Sequence, residues 1–159
     1  MCKLYGRSER GERCHGTAPA SWTTTTMISS IRVNGSTECL VFEGAIERKM
    51  FRAYMQEMLL PTLKYGDIVI LDNLSTHKDT DTVDYFAAHG VTILYLPAYS
   101  PDLNPIEQMW GKVKGILREL ACETSDSLFE AIRTAFEQIT PKNAQGWFRT
   151  VGIFNFKTL

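Results

Sequence analysis

The sequence predicts an α/β layer, a mixed sheet with flanking helices, and three observations carry that expectation. β-Branched and apolar runs on either side of Asn34-Gly35 read as an antiparallel hairpin. A strand, a helix and a second strand follow one another between Asp67 and Leu96, which implies a parallel pair. The remaining long segments repeat their apolar residues at helical spacing.

Each element follows in order. Residues 1–26 are polar and Gly-rich, mixing Lys3, Arg7, Arg10 and Arg13 with Glu9 and Glu12 before the threonine run that ends at Thr26, and read as a loop. An α/β core is expected over 27–140. Its hairpin strands run from Met27 to Val33 and from Glu38 to Glu43. From Ile46 to Leu60 the apolar residues Ile46, Met50, Phe51, Tyr54, Met55, Met58 and Leu59 recur at helical spacing, which predicts an amphipathic helix stopped by Pro61. Asp67-Ile-Val-Ile-Leu-Asp72 is continuously apolar between its two acids, as suits a strand buried on both faces. A helix from about Lys78 to Ala88 closes at Gly90, and Val91 to Leu96 reads as a second buried strand. After a loop with three prolines come a helix from about Pro105 to Leu120 and a last helix from about Ser125 to Ile139. Pro141 stops that helix, and 141–159 is read as a tail. Phe129, Ile132, Phe136 and Ile139 recur at helical spacing and are assigned to the core. One domain is expected over 1–159, with no internal repeat.

Composition restricts the function classes. With 159 residues, 44% of them hydrophobic, the chain can bury a core. Lys and Arg number 17 against 18 Asp and Glu, so the net charge of -1 lacks the basic bias of a dedicated DNA-binding module, and any nucleic-acid contact must be a local patch. Cys2, Cys14, Cys39 and Cys122 are scattered without metal-finger spacing and read as reduced intracellular thiols. No apolar run reaches the roughly 18 residues of a membrane span, and no signal-peptide core opens the chain, so a soluble cytoplasmic protein is expected.

Two carboxylates are placed for chemistry. Asp72 ends a strand, and ligands of open α/β sheets bind beyond the carboxyl ends of strands. Glu107 lies in the first turn of the helix after the Pro-rich loop. Two carboxylates from separate elements suit Mg²⁺, which takes one or two of them and completes its shell with water or phosphate oxygens. Each has a plainer alternative. Asp72-Asn73 can be a turn whose side chains bond nearby amides. Glu107 falls at N3 after Asn104 as N-cap and Pro105 as N1, where it would complete a capping box. His77 stands just ahead of a helix, while His15 and His89 read as solvated.

The strings Leu71-Asp72-Asn73-Leu74-Ser75-Thr76-His77 and Tyr95-Leu96-Pro97-Ala98-Tyr99-Ser100-Pro101-Asp102-Leu103-Asn104-Pro105-Ile106-Glu107-Gln108-Met109-Trp110 closely resemble the mariner-related bacterial insertion-sequence transposases of the DDE endonuclease superfamily. Tyr5-Gly6-Arg7, the stretch from Phe51 to Leu63 and Gly66-Asp67-Ile68-Val69 fit the same resemblance, which covers nearly the whole chain. It implies the ribonuclease H-like fold of retroviral integrases, Mg²⁺- or Mn²⁺-dependent DNA cleavage and strand transfer, and Asp72 and Glu107 as the second and third catalytic, metal-ligating carboxylates. Asn73 and His77 would be positioning groups around them. Tyr99, Trp110, Lys112, Lys114 and Arg118 become candidate DNA contacts, against the alternatives of packing for Tyr99 and solvated cations for the basic residues.

The sequence departs from that pattern at its start. Relatives carry a first Asp on a central strand, whereas no Asp precedes Asp67 here, and Glu43, which ends a hairpin strand, is topologically misplaced as a substitute. The resemblance therefore implies an N-terminally truncated catalytic domain without its first central strand, weak or inactive alone, and without the helix-turn-helix that grips element ends. Open sheet edges then invite another chain. The expected partners are DNA, an upstream-encoded transposase segment or an intact transposase, and further copies of this chain. The alternative function is a non-enzymatic fragment that associates with or inhibits an intact transposase.

Overall fold

The structure, a computed structural model, describes residues 7–15, 24–122 and 124–153. The expected readings of Tyr5-Gly6, of Thr23 and of the end of the tail lie outside these residues, while Thr25 and Thr26, read as the end of the loop, instead open the first strand because they pair with the returning strand.

The hairpin forms with β1 (Thr25–Ser29) antiparallel to β2 (Cys39–Glu43), in a register pairing Thr25 with Glu43 and Ser29 with Cys39. Asn34-Gly35 makes the reversal as read: Gly35 has φ +88° and its N–H donates to the Arg32 carbonyl. The ladder nevertheless stops earlier than Val33, because Asn34 Oδ1 takes the Ser36 N–H and hydroxyl and closes a local loop. Alternation along both strands serves two cores. Ile28, Leu40 and Phe42 pack into one, and Met27 and Val41 into the other.

The first core rests on one helical run. It begins as α1 (Arg48–Ala53), widens into a π-helical turn over Tyr54–Leu59 and tightens to a 3₁₀ turn over Leu60–Thr62. Pro61 lies inside that last turn instead of ending the helix before it. The widened turn keeps Tyr54, Met55 and Leu59 all buried, and such turns tend to occur where packing or function demands a local change of pitch. Tyr54 donates from its hydroxyl to the Glu38 carbonyl at 3.0 Å, so the helix is bonded to the hairpin as well as packed on it.

β3 (Ile68–Leu71) and β4 (Thr92–Tyr95) pair in parallel, with Ile68 opposite Thr92, and are joined by α2 (Thr80–Ala88). Val69, Leu71 and Ile93 face the first core beside Phe86 and Val91. The opposite face is open: Ile68 is 59% and Leu94 49% exposed. The expectation of strands buried on both faces therefore fails, because the helices that might cover this face sit on the hairpin. A second correction concerns the mixed sheet. The hairpin and the parallel pair form two separate two-stranded sheets with no ladder between them.

The second core is helical. α3 (Pro105–Leu120) buries Met109, Val113 and Leu117 against Ala131, Ile132 and Ala135 of α4 (Ser125–Glu137). Phe129, assigned to the core from its spacing, is 37% exposed, at the rim of a groove it shares with Val41, Ile132 and Phe136. Pro141 starts α5 (Pro141–Thr150) instead of a tail. Thr140 caps this helix by accepting from the Asn143 N–H, and a proline at N1 is favoured there. Among the described residues no helix is long and apolar enough to cross a membrane.

The hairpin turn touches α5 through Gly35, where an added Cβ would stand 2.9 Å from Pro141 N and 3.0 Å from Pro141 Cα. Gly35→Ala meets both this backbone and an unfavourable positive φ, so we expect a loss of about 1–3 kcal/mol in chemical denaturation. A change within a few tenths of a kcal/mol would show that α5 is not seated on the turn.

Candidate functional site

A cavity of about 830 Å³ brings together the two carboxylates that the sequence singled out. Asp72 enters it from the end of β3 and Glu107 from the first turn of α3, and His77 and Asn104 also line it. A parallel strand pair delivers Asp72, because the chain must leave β3 at the carboxyl end before crossing through α2. The Pro-rich loop delivers Glu107. It forms a 3₁₀ turn over Pro101–Leu103, and Asn104 then caps α3 by accepting from the Ile106 N–H at 3.3 Å.

Both plainer alternatives leave traces. Asp72 Oδ1 accepts weakly from the Leu74 N–H at 3.4 Å, the local turn contact expected of Asp-Asn. The same oxygen contacts His77 Nδ1. Asp72 Oδ2 has no hydrogen-bond partner among the described residues, and its side chain is 41% exposed. The capping box at Glu107 does not form. The Asn104 N–H instead donates to the Pro101 carbonyl at 3.0 Å, which leaves the exposed Glu107 carboxylate without a partner among the described residues.

His77 is fixed from three directions. Its ring stacks on Phe51 with centroids 4.2 Å apart and planes 20° from parallel, its Nδ1 meets Asp72, and its carbonyl accepts from the Tyr95 hydroxyl at 2.9 Å. Phe51 and Tyr95 were not singled out for the site from sequence. Phe51 shows there only as one apolar residue of a helix, and Tyr95 only as a strand end. Asn73 Oδ1 is buried without a hydrogen-bond partner, the kind of unsatisfied group that folding tolerates only at a cost.

The loop between Asp72 and α2 is anchored by a clamp that also escaped the sequence reading. Arg52 donates to both oxygens of Asp79 at 2.8 and 2.6 Å and reaches Asp81 at 2.9 Å. Asp79 is only 7% exposed and also accepts from the Thr82 hydroxyl. The hydrogen bond from Arg52 is the main reason its carboxyl titrates below the usual value of 3.8.

The expected DNA-contacting residues divide. Lys114 and Arg118 are exposed and fall with Glu107 on one face of α3, opposite the buried stripe. Tyr99 is fully exposed with φ +58°, an unusual conformation for a large side chain. Lys112 lies elsewhere, held at 2.8 Å by Asn143 and by the Gln138 carbonyl, so it ties α3 to the helices behind it. Trp110 packs edge-on against Phe136. Glu43 is exposed and accepts from Ser125 at 3.3 Å, away from the cavity. Among the described residues no group of three or more His, Cys, Asp or Glu gathers as a metal site. Cys14, Cys39 and Cys122 are free thiols, and burial pushes Cys39 up to about 11, which keeps it protonated and unreactive.

Comparison with known proteins agrees with the two strings. A family described as DDE superfamily endonuclease matches residues 1–128. The chain is 34% identical over 82 residues to the transposable element Tc3 transposase of Caenorhabditis elegans, covering 50% of this chain and 25% of that protein. It is 28% identical over 90 residues to the Tc1 transposase of the same organism, covering 57% and 33%. With the Tcb1 transposase of Caenorhabditis briggsae it shares 27% over 108 residues, covering 68% and 38%. The chain thus spans well under half the length of these curated relatives.

The clamp yields a prediction with a definite sign. Asp79 has a depressed carboxyl pKa, so its contribution is complete above the usual carboxylate value and is lost as pH falls through the lower, folded value. Asp79→Asn should cost about 1–3 kcal/mol at neutral pH. The gap to the unaltered chain should close in the acid range below about 4. A gap that stays constant down to pH 2 would assign the loss to packing instead of the ion pair.

Proposed function

The chain belongs to the DDE superfamily endonucleases, and on that premise we propose that it is catalytic-domain sequence of a DNA transposase with a ribonuclease H-like arrangement, in which Asp72 and Glu107 hold a divalent metal ion. The observation that carries this reading is their convergence on one cavity from separate elements, each with carboxylate oxygen that no cation among the described residues engages. The donor set fits Mg²⁺ or Mn²⁺: hard oxygens, two protein ligands, and open solvent or phosphate to complete the shell. When bound, such an ion supplies activation of an attacking oxygen and stabilisation of the leaving one in phosphodiester cleavage.

The other roles belong to this chain's own residues. His77, wedged on Phe51, holds Asp72 Oδ1 and so directs the free Oδ2 toward the cavity. It acts as a positioning residue, and Asn73 keeps a buried acceptor beside it. Lys114 and Arg118 extend from Glu107 along α3 as contacts for a DNA backbone, and Tyr99 offers an exposed ring at the mouth of the Pro-rich loop. Two carboxylates make a weak metal site, and we expect this chain by itself to be a poor nuclease.

Two measurements test this. Mn²⁺ should broaden the NMR signals of residues around Asp72 and Glu107, and Asp72→Asn or Glu107→Gln should abolish that broadening while leaving the fold unchanged. Persistence of local broadening in both variants would rule the pair out as ligands. For DNA, Lys114→Ala and Arg118→Ala should each weaken binding uniformly across sequences and lower the salt dependence by about one ion. Unchanged affinity and slope in the double variant would remove this face of α3 from the DNA contact.

A further inference from the structure

The Arg52 clamp and the Asp72 carboxylate stand at opposite ends of one loop, and a short series of contacts connects them. Of residues 72–79, Leu74, Ser75 and Lys78 are exposed and Asp79 is buried, so the segment takes its position from the few groups that anchor it. Arg52 grips Asp79 with two parallel bonds, Nε to Oδ2 at 2.8 Å and Nη2 to Oδ1 at 2.6 Å. Such a fork fixes orientation as well as distance, which an ammonium group does not. From Asp79 the chain turns back through Lys78, whose φ of -84° and ψ of 87° belong to an inverse γ-turn, and the Asp79 N–H donates to the His77 carbonyl at 3.1 Å. Fixing Asp79 therefore fixes the His77 backbone. The same carbonyl accepts from the Tyr95 hydroxyl, while the His77 ring lies on Phe51 and meets Asp72. Phe51 and Arg52 are consecutive residues of α1, so one helical turn sets both the ring and the backbone of the residue that touches Asp72.

We propose that Arg52 is a positioning residue for the Asp72 carboxylate, acting through Asp79 and His77. The consequence for metal binding rests on the reading of Asp72 and Glu107 as ligands given above. Its physical content is pre-organisation: a carboxylate already turned toward the cavity loses less freedom on taking a divalent ion. Groups that orient ligands from behind in this way contribute about ten- to a hundredfold in metal affinity. Arg52 does not line the cavity, so its effect reaches the site by way of the loop. Asp79 also stands at the N-cap position of α2, and the clamp holds that helix too. Stability alone does not separate the two roles, whereas the state of His77 and the affinity for an ion do.

Two readings on the full 159-residue chain test this: Mn²⁺ affinity from paramagnetic broadening, and the nitrogen NMR signal of His77 Nδ1, which reports its contact with Asp72 without any metal. Arg52→Lys keeps the charge and loses the fork, and Asp79→Asn keeps the shape and loses the charge. Each should weaken Mn²⁺ binding by about tenfold and shift the His77 signal. In a His77→Ala background, Arg52→Lys should cost no further affinity, as action through His77 requires. Thr124→Ala, which removes the cap of α4, destabilises the chain away from the loop and should change neither reading. An unchanged His77 signal in both folded clamp variants overturns the proposal, and so does an Arg52→Lys loss of affinity that persists in full without His77. Absence of Mn²⁺ broadening in the unaltered chain would instead sink the metal reading, and the His77 signal of the two variants then decides by itself whether Arg52 positions Asp72.

Discussion

The two sheets of this protein share no hydrogen bond, and everything else depends on the helix that holds them in place. The run from Arg48 to Thr62 packs Phe51, Tyr54, Met55 and Leu59 against β1 on one side and against β3, β4 and α2 on the other. Burying a side chain of this size is worth roughly 1.5–3 kcal/mol, so four of them on one helix form a bed to which both pairs of strands adhere. The four stand at i, i+3, i+4 and i+8, the spacing of one helical face, and the π-helical turn at Tyr54–Leu59 keeps Tyr54, Met55 and Leu59 buried there. Burial pushes the Tyr54 hydroxyl well above its usual range, which keeps it a neutral donor to the hairpin.

The site inherits its geometry from the same bed. Phe51 lies in the core with one ring face against His77, and His77 in turn touches Asp72. The next residue of the helix, Arg52, fixes Asp79, so the loop that leaves β3 is held at both ends by neighbouring residues of α1. Glu107 comes from the other core, where the stripe of Met109, Val113 and Leu117 sets the roll of α3 and leaves Glu107, Lys114 and Arg118 outward. The two carboxylates therefore meet at the seam between two cores, with the hairpin lying in that seam and facing both.

The sequence by itself determined the local backbone: the reversal at Asn34-Gly35, the strand that ends at Asp72, the parallel return to Tyr95, and α3 from Pro105 to Leu120 with Asn104 as its cap. These depend on φ preference, apolar period and short-range hydrogen bonds, all carried by residues a few positions apart. The Thr140-Pro141 pair carries both a stop for α4 and a start for α5, since proline is excluded from a helix interior but suits its first position. The two motif strings likewise single out Asp72 and Glu107. What only the tertiary structure decided was which faces are covered: the exposed side of β3 and β4, Phe129 left at the rim of the second core, Lys112 turned into the helix bundle, and the ring of Phe51 beneath His77. Each depends on how elements distant in sequence pack, and an apolar run fits a strand covered on one face or on two, so its pattern alone does not distinguish them.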